Sequence, residues 1–405
     1  GPAAGLRAIQ YIGEQVGVSK IISFDMGGTS TDVALIDGKI ETTIEGRIGR
    51  YPVGVPMLDM HTIGAGGGSI AFIDDGGLLR VGPRSAGAAP GPICYQNGGT
   101  EVTVTDASLV LGRLPRGIKL AGGLSLSVDR AHKAIKNLGL RLGLTAEETA
   151  EGTIRIANEH MSKAIRMISV NKGYDPKEFM LASFGGAGGL HICEIADAMQ
   201  IERAIVPAYG GILSAMGMLI SKKGRQYTRT INTIAEISKE AEIKSQLTEM
   251  LNTGQLELIS EGVEHKKIEA TYSLDCRYKG QSYTLNVEWF DIITCQKLFK
   301  SLHSQRYGYS LSEPIEIVNL RVSVQAPGAS FALPQISKRR NSVDSGTVDV
   351  YGQRGKAKIY RKENLEVGFL IPGPAIIEES TSTIFISQNW QASLDAFGNT
   401  VLSRT

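Results

Sequence analysis

Phe24-Asp25-Met26-Gly27-Gly28-Thr29-Ser30-Thr31-Asp32 is the stretch on which the reading of this chain turns. A carboxylate ends one apolar run, Lys20-Ile21-Ile22-Ser23-Phe24; two glycines and three hydroxyls follow; a second carboxylate opens another run, Asp32-Val33-Ala34-Leu35-Ile36. The runs predict two buried strands joined by a tight turn, with Asp37-Gly38 turning into a third, the start of a β-meander. Glycines let successive main-chain N–H groups face one point and let an anionic oxygen approach with no Cβ in the way. The hydroxyls add short donors, and a strand-end carboxylate such as Asp25 can hold the water shell of a magnesium ion that accompanies a polyphosphate. A plain Gly/Thr hairpin turn has the same composition, so a second element has to decide.

Phe184-Gly185-Gly186-Ala187-Gly188-Gly189-Leu190 supplies it, far along the chain. It closes an apolar run, Phe179 to Phe184, and opens a predicted helix, Leu190 to Met199. Strand, glycine turn and helix make a unit suited to phosphate or nucleotide, although close helix–strand packing also calls for small residues. Neither loop follows G-x-x-x-x-G-K-[ST], and neither matches G-x-G-x-x-G with its downstream acid. The two together suit a split nucleotide site.

Composition sets the frame. With 405 residues, 42% of them hydrophobic and 21% charged, the chain is ordinary globular material for two or three domains. A formal charge of +2 gives no reason to expect nucleic acid or an anionic membrane surface. No stretch reaches the roughly 18 unbroken apolar residues of a membrane span, and no basic-then-apolar leader opens the chain, so a soluble, cytoplasmic protein is expected. Cys94, Cys193, Cys276 and Cys295 form no C-x-x-C pair and read as reduced, packed thiols. The opening Gly1-Pro2-Ala3-Ala4-Gly5, without methionine, reads as a cut through a longer polypeptide.

Residues 1–225 read as an α/β lobe with a mixed sheet. Helices are predicted at Pro2 to Gln15, Ser127 to Leu138 and Ala146 to Val170, the last with a Thr145/Glu148 capping box, and a polar strand at Glu101 to Thr105. Past Arg225 glycine thins out, and residues 226–405 read as a C-terminal α+β, β-rich domain. Within it a helix is expected at Ile237 to Glu261, strands at Ile268 to Tyr278 and Ser282 to Val287 around Gly280, and a small β module in the last 55 residues. Pro327 to Val348, with Lys338-Arg339-Arg340, reads as an exposed linker.

Asp59 and His61 flank the glycine run Gly64 to Gly68, which is placed to face reacting groups. On one strand face such a pair can bind a metal, a transition metal included, or transfer a proton; a hydrogen-bonded structural pair fits equally. His160 and His191 are candidate third ligands, with helix surface and helix start as their plainer roles. Arg84 suits a phosphate or a loop anchor, and Cys94, with no base beside it, is structural.

Gly1 to Gly5, Phe24 to Asp32 and Phe184 to Gly188 resemble the connect-1, phosphate-2 and adenosine elements of the actin, sugar kinase and heat-shock chaperone ATPase superfamily. The resemblance narrows to the hydantoinase A / 5-oxoprolinase family, which includes acetone and acetophenone carboxylase subunits. It rests on Asp59-Met60-His61-Thr62-Ile63-Gly64-Ala65-Gly66-Gly67-Gly68-Ser69-Ile70, Gly82-Pro83-Arg84-Ser85-Ala86-Gly87 and Val104-Thr105-Asp106-Ala107. Gly173-Tyr174-Asp175-Pro176, Gly211-Ile212-Leu213-Ser214-Ala215-Met216-Gly217, Tyr307-Gly308-Tyr309 and Gly373-Pro374-Ala375-Ile376-Ile377-Glu378 extend it over essentially the whole chain.

This resemblance implies an actin-like ATPase (ribonuclease H-like) lobe that binds ATP and magnesium. The implied reaction opens a cyclic amide, as in hydantoinase, N-methylhydantoinase and 5-oxoprolinase, after ATP phosphorylates the amide oxygen. Asp25 would hold magnesium through water, with Asp59 and His61 as further catalytic and metal candidates. Gly27, Gly28, Thr29, Ser30 and Thr31 would cradle phosphates, and Gly185, Gly186, Ala187 and Gly188 would hold the nucleoside. Family members carry an earlier lobe with its own Asp-x-Gly-Gly-Thr loop, so this chain alone is expected to bind nucleotide weakly and not to turn over. A hydantoinase B-type partner subunit or fused half, and an oligomer, are implied too. An ATP-dependent carboxylase subunit and a non-catalytic, nucleotide-gated scaffold are the alternatives.

Overall fold

Proline at the first helical position gives up an N–H that would have no partner there, and Leu6, Ile9 and Ile12 fall on one face, so Pro2–Val16 (α1) forms and buries that face. Gly17, at φ 72°, ends it in the left-handed conformation that glycine adopts without strain. The computed structural model describes residues 1–43, 46–48, 51–53, 57–115, 117, 119–120, 123–328, 332–336 and 343–405. It divides into two units, Gly1–Met218 with Ala332–Thr405, and Leu219–Phe331.

In the first unit α1 leads into the expected meander. Lys20–Met26 (β1) and Thr31–Asp37 (β2) pair antiparallel, and Met60–Ile63 (β3) pairs with the other edge of β2. Helices Val104–Val110 (α2), Val128–Leu140 (α3) and Ala146–Ile168 (α4) follow, then Met180–Phe184 (β4), Ile192–Met199 (α5), Arg203–Val206 (β5) and Leu213–Ile220 (α6). Strand alternation sorts the core into two layers. Ile22, Phe24 and Met26 pack with Met161 and Ile165 of α4 and Ile192 and Ile195 of α5, whereas Ile21 packs with Leu6, Ile9 and Ile12 of α1.

The polar strand expected at Glu101 to Thr105 is instead the entry to α2. Thr103 Oγ1 accepts the Asp106 N–H and the Asp106 carboxylate accepts the Thr103 N–H, a capping box that starts the helix at Val104. The Thr145/Glu148 box expected before α4 is present.

Among its described residues the second unit is a four-stranded antiparallel sheet with two α-helices. Lys223–Ile234 (β6), Glu240–Ser260 (α7), Glu269–Tyr278 (β7), Leu285–Glu288 (β8), Ile292–Tyr307 (α8) and Ile315–Ala326 (β9) give the order β6-β9-β7-β8. Ile243 and Leu247 of α7 and Phe299 of α8 share its core with Leu274, Leu320 and Val322.

The division expected at residue 226 differs from the one observed, because the chain returns. Lys356–Arg361 (β10), Ala375–Glu378 (β11) and Thr383–Ile386 (β12) belong to a small sheet, so part of the expected β module is present. Trp390–Leu394 (β13) and Thr400–Arg404 (β14) instead join the main sheet, where β14 pairs antiparallel with β5. Among the described residues that sheet is nine-stranded and mixed, running Ile371–Pro372, β13, β14, β5, β4, β1, β2 and Lys39–Ile40, with β3 also on β2. Fully buried Trp390 ties the return down, its indole N–H donating to Asp197 of α5 at 3.2 Å. Lys338-Arg339-Arg340 lie outside the described residues. No helix among the described residues is long and apolar enough to cross a membrane.

Candidate nucleotide site

Strands β1 and β4 are parallel neighbours with Asp25 in register with Phe184, so the loops after them leave the sheet at the same edge. They touch: the Ala187 N–H donates to the Met26 carbonyl at 3.2 Å. Gly185 makes the approach possible. Its φ is +80°, and a Cβ there would lie 2.5 Å from both Asp25 Oδ1 and the Met26 oxygen. The two bends thus converge as the sequence reading requires.

Gly27 N–H closes the first bend on the Ser30 carbonyl at 3.1 Å, leaving Gly28 and Thr29 exposed at its tip. Beneath it lies the Gly64 to Gly68 run. Gly67 and Gly68 donate their N–H groups to the carbonyls of Gly27 and Gly28, at 3.0 and 2.6 Å. A Cβ on Gly66 would come within 2.8 Å of Gly28 and Thr29 backbone. Residues 65–69 are buried, so this run supports the loop and does not face reacting groups, contrary to expectation.

Two carboxylates stand at the mouth. Asp25 lies directly across from Asp32 on β2. Burial, and next the negative charge of Asp32, push the Asp25 carboxyl up to about 6, and among the described residues it has no hydrogen-bond partner. Asp32 accepts the Thr62 hydroxyl of β3. Hard oxygen ligands beside exposed main-chain donors match what magnesium and a polyphosphate require together.

Residues 1–227 match the family described as Hydantoinase/oxoprolinase, and residues 296–402 match its C-terminal domain. The chain belongs to the hydantoinase/oxoprolinase family. It is 34% identical over 419 residues to the caprolactamase subunit alpha of Pseudomonas jessenii, covering 98% of this chain and 60% of that one. It is 32% identical over 396 residues to the 5-oxoprolinase of Dictyostelium discoideum, covering 92% of this chain and 31% of the other. Among solved structures, a nucleotide-free acetone carboxylase superposes with a TM-score of 0.86 at 26% identity. The ATP-dependent caprolactamase of P. jessenii superposes with 0.82 at 34% identity; each comparison covers 100% of this chain and 61% of the other. The fold is accordingly that of the actin-like ATPases of this family. The chain spans between about a third and three fifths of the length of these relatives.

Within this hydantoinase/oxoprolinase lobe, several expected site residues have other work. Thr31 is fully buried and gives its hydroxyl to the Ala65 carbonyl. Gly188 is buried, and a Cβ there would strike Ser183 Oγ at 2.2 Å, so it serves packing. Gly186 is exposed and Gly185 and Ala187 are half-buried on the loop facing Gly27, Gly28, Thr29 and Ser30.

Asp59 is not with them. It borders Leu35, four residues along β2 from Thr31 and therefore about 13 Å away along the strand. There its carboxylate pairs with Lys172 in a cleft of about 160 Å³ that Glu41, Ile168 and Tyr174 also line. His61 sits opposite Val33, between the two places. His191 is buried, with Nδ1 2.7 Å from Asn158 Oδ1, and burial together with Arg113 drives its imidazole down to about 3. His160 lies on α4, its imidazole lowered by burial. Among the described residues no three His, Cys, Asp or Glu side chains converge to hold a metal. The Asp59/His61 transition-metal reading therefore lacks its third ligand, and Asp59 already has a cation.

Arg84 pairs with Glu101 at 2.7 Å, the loop-anchor role. Cys94 is fully buried and its thiol is pushed up by burial and then by Asp106, which makes it structural. Asp32 is the residue that sequence reading passed over as a site member. The tight turn after Met26 fixes it opposite Asp25, and counting the hairpin register would have found it.

Proposed function

We propose that this chain supplies the nucleotide-binding lobe of an ATP-dependent cyclic-amide hydrolase. The observation that carries the reading is the contact of two distant loops at one sheet edge, Ala187 N–H to Met26 carbonyl, beside an ionisable, unpartnered Asp25. In the proposed reaction the amide oxygen attacks the γ-phosphorus of ATP and ADP leaves. One water then adds to the activated carbon and the ring C–N bond breaks, the amine leaving with a proton and the carbon left as an acyl phosphate; a second water hydrolyses this to the free carboxylate, and phosphate departs with the original oxygen. An amide carbonyl is a poor electrophile, and giving its oxygen a phosphate leaving group leaves the protein to position groups and neutralise charge.

Gly28, Thr29 and Ser30 offer main-chain and hydroxyl donors to the phosphates, while Gly185, Gly186 and Ala187 form a flat wall for the nucleoside. Asp25, with Asp32 beside it, holds the water shell of magnesium, which supplies charge neutralisation. The protein titled ATP-dependent caprolactamase supports amide opening, and its naming as a subunit alpha supports a partner subunit or fused half for this chain. The site is completed by a second lobe, as the family resemblance implies, and the chain alone binds nucleotide weakly.

A second reading, an ATP-dependent carboxylase subunit, is supported by the superposition on acetone carboxylase. The deciding experiment uses the full-length protein with its partner. Phosphate release from magnesium-ATP is measured with a panel of lactams and hydantoins, and the products are analysed. Lactam-dependent phosphate release with ring-opened product is expected. Carboxylated product instead moves the assignment to the second reading, and nucleotide binding with no product leaves the nucleotide-gated scaffold.

A further inference from the structure

A trans peptide unit is planar, with its C=O and the N–H of the next residue pointing in opposite directions. The loop tip can be read through this constraint. The Gly27 carbonyl is drawn inward by the Gly67 N–H, so the N–H of the same peptide unit, that of Gly28, points the other way. The Gly28 carbonyl is drawn inward by the Gly68 N–H at 2.6 Å, so the N–H of Thr29 is turned outward as well. Among the described residues neither outward N–H has an acceptor.

The inner run is locked in the same manner. Ser69 N–H donates to the Gly66 carbonyl at 3.0 Å, fixing the peptide unit that carries the Gly67 N–H. Thr105, in the first turn of α2, donates both its N–H and its hydroxyl to the Gly67 carbonyl, each at 2.8 Å, fixing the unit that carries the Gly68 N–H. Two relays of aligned peptide dipoles therefore run outward, one from Ser69 through Gly67 to Gly28, the other from Thr105 through Gly68 to Thr29. Dipoles in series polarise one another, and two adjacent N–H groups aimed at one side form a concave anion site. Only glycine fits the crossing. A Cβ on Gly67 would lie 2.9 Å from Thr105 Oγ1, and one on Gly68 2.8 Å from the Gly28 oxygen.

We propose that the buried Gly66-Gly67-Gly68 turn and Thr105 are positioning residues that aim the Gly28 and Thr29 N–H groups at a nucleotide phosphate, with Thr105 setting the second relay from outside the loop. The inference rests on the nucleotide reading above and assigns it residues that need not touch the ligand.

The test is magnesium-ATP affinity by calorimetry on the full-length protein, wild type against Thr105→Val, Thr105→Ser and Gly68→Ala. Thr105→Val keeps the shape and the main-chain donor but loses one hydroxyl bond to the relay, so Kd rises about tenfold. Thr105→Ser restores the hydroxyl and keeps Kd within about twofold of wild type. A role confined to stability would lower the thermal midpoint and leave Kd alone. Gly68→Ala weakens binding further; if it fails to fold, the two Thr105 variants still decide. Wild-type affinity in Thr105→Val, or equal losses in Thr105→Val and Thr105→Ser, overturns the relay while the nucleotide site stands. A wild-type protein that binds no magnesium-ATP overturns the nucleotide reading and this inference with it.

Discussion

Asp25 and Asp32 face each other across the β1–β2 ladder, one at the end of its strand and the other at the start of the next. The burial of Asp25, and next the charge of Asp32, raise its carboxyl from 3.8 to about 6. A raised carboxylate favours the protonated form in the folded state. Below pH 4 the group is protonated folded or unfolded and contributes nothing, whereas above pH 6 ionisation opposes folding by up to about 3 kcal/mol. In the nucleotide-free protein, Asp25→Asn should raise the thermal midpoint at pH 7.5 and leave it nearly unchanged at pH 4. A difference between variant and wild type that stays constant over that range would contradict the assignment.

The same substitution should cripple ligand binding. Asp25→Asn removes the charge that the magnesium shell needs, so magnesium-ATP affinity in the full-length protein falls by at least tenfold, whereas Asp59→Asn, about 10 Å along the strand from the Asp25–Asp32 pair, changes it less than twofold. Calorimetry on both variants checks this. Equal losses would return Asp59 to the nucleotide site.

Gly185→Ala meets two penalties at once: a φ of +80° and a Cβ 2.5 Å from both Asp25 Oδ1 and the Met26 oxygen. Destabilisation of about 2 to 4 kcal/mol follows from strain and overlap together. Denaturant unfolding measures it, and a neutral result would mean that the β1 and β4 loops are farther apart than described.

Buried and exposed ion pairs should separate cleanly. Arg113, 5% exposed, makes a two-pronged contact to Glu194 at 3.0 and 2.5 Å, and Glu194 in turn receives the Asn158 amide. Arg113→Ala strands that network and costs about 3 kcal/mol. Lys20→Ala breaks the exposed pair with Glu178, which solvent screens, and costs only a small fraction of that. Chemical denaturation of the two variants reads the contrast directly.

Local grammar made much of the first unit legible. Two apolar runs around a Gly-Gly turn placed β1 and β2, a Thr/Glu spacing placed the start of α4, and small residues after Phe184 marked the second bend. These are interactions between near neighbours in sequence. The parts missed are set by distant partners. Nothing in Glu101 to Thr105 shows that Thr103 and Asp106 will cap each other while Ile70 bridges Thr103, and the polar alternation there imitates a strand. Asp59 and His61 read as a pair because they lie two apart, yet Lys172, far along the chain, captures Asp59. Gly64 to Gly68 was legible as a place of close approach, but a glycine needed for packing beneath a loop and one needed to admit a ligand look alike in sequence.

The seam between β5 and β14 bears on how the protein is made. A ribosome delivers the Leu219–Phe331 unit as one uninterrupted piece, which can complete its sheet soon after emerging. The main sheet instead waits for residues near 400, so until they emerge its β5 edge stays open to pairing with other chains. Nascent-chain proteolysis should find the Leu219–Phe331 unit resistant before the sheet that β14 completes.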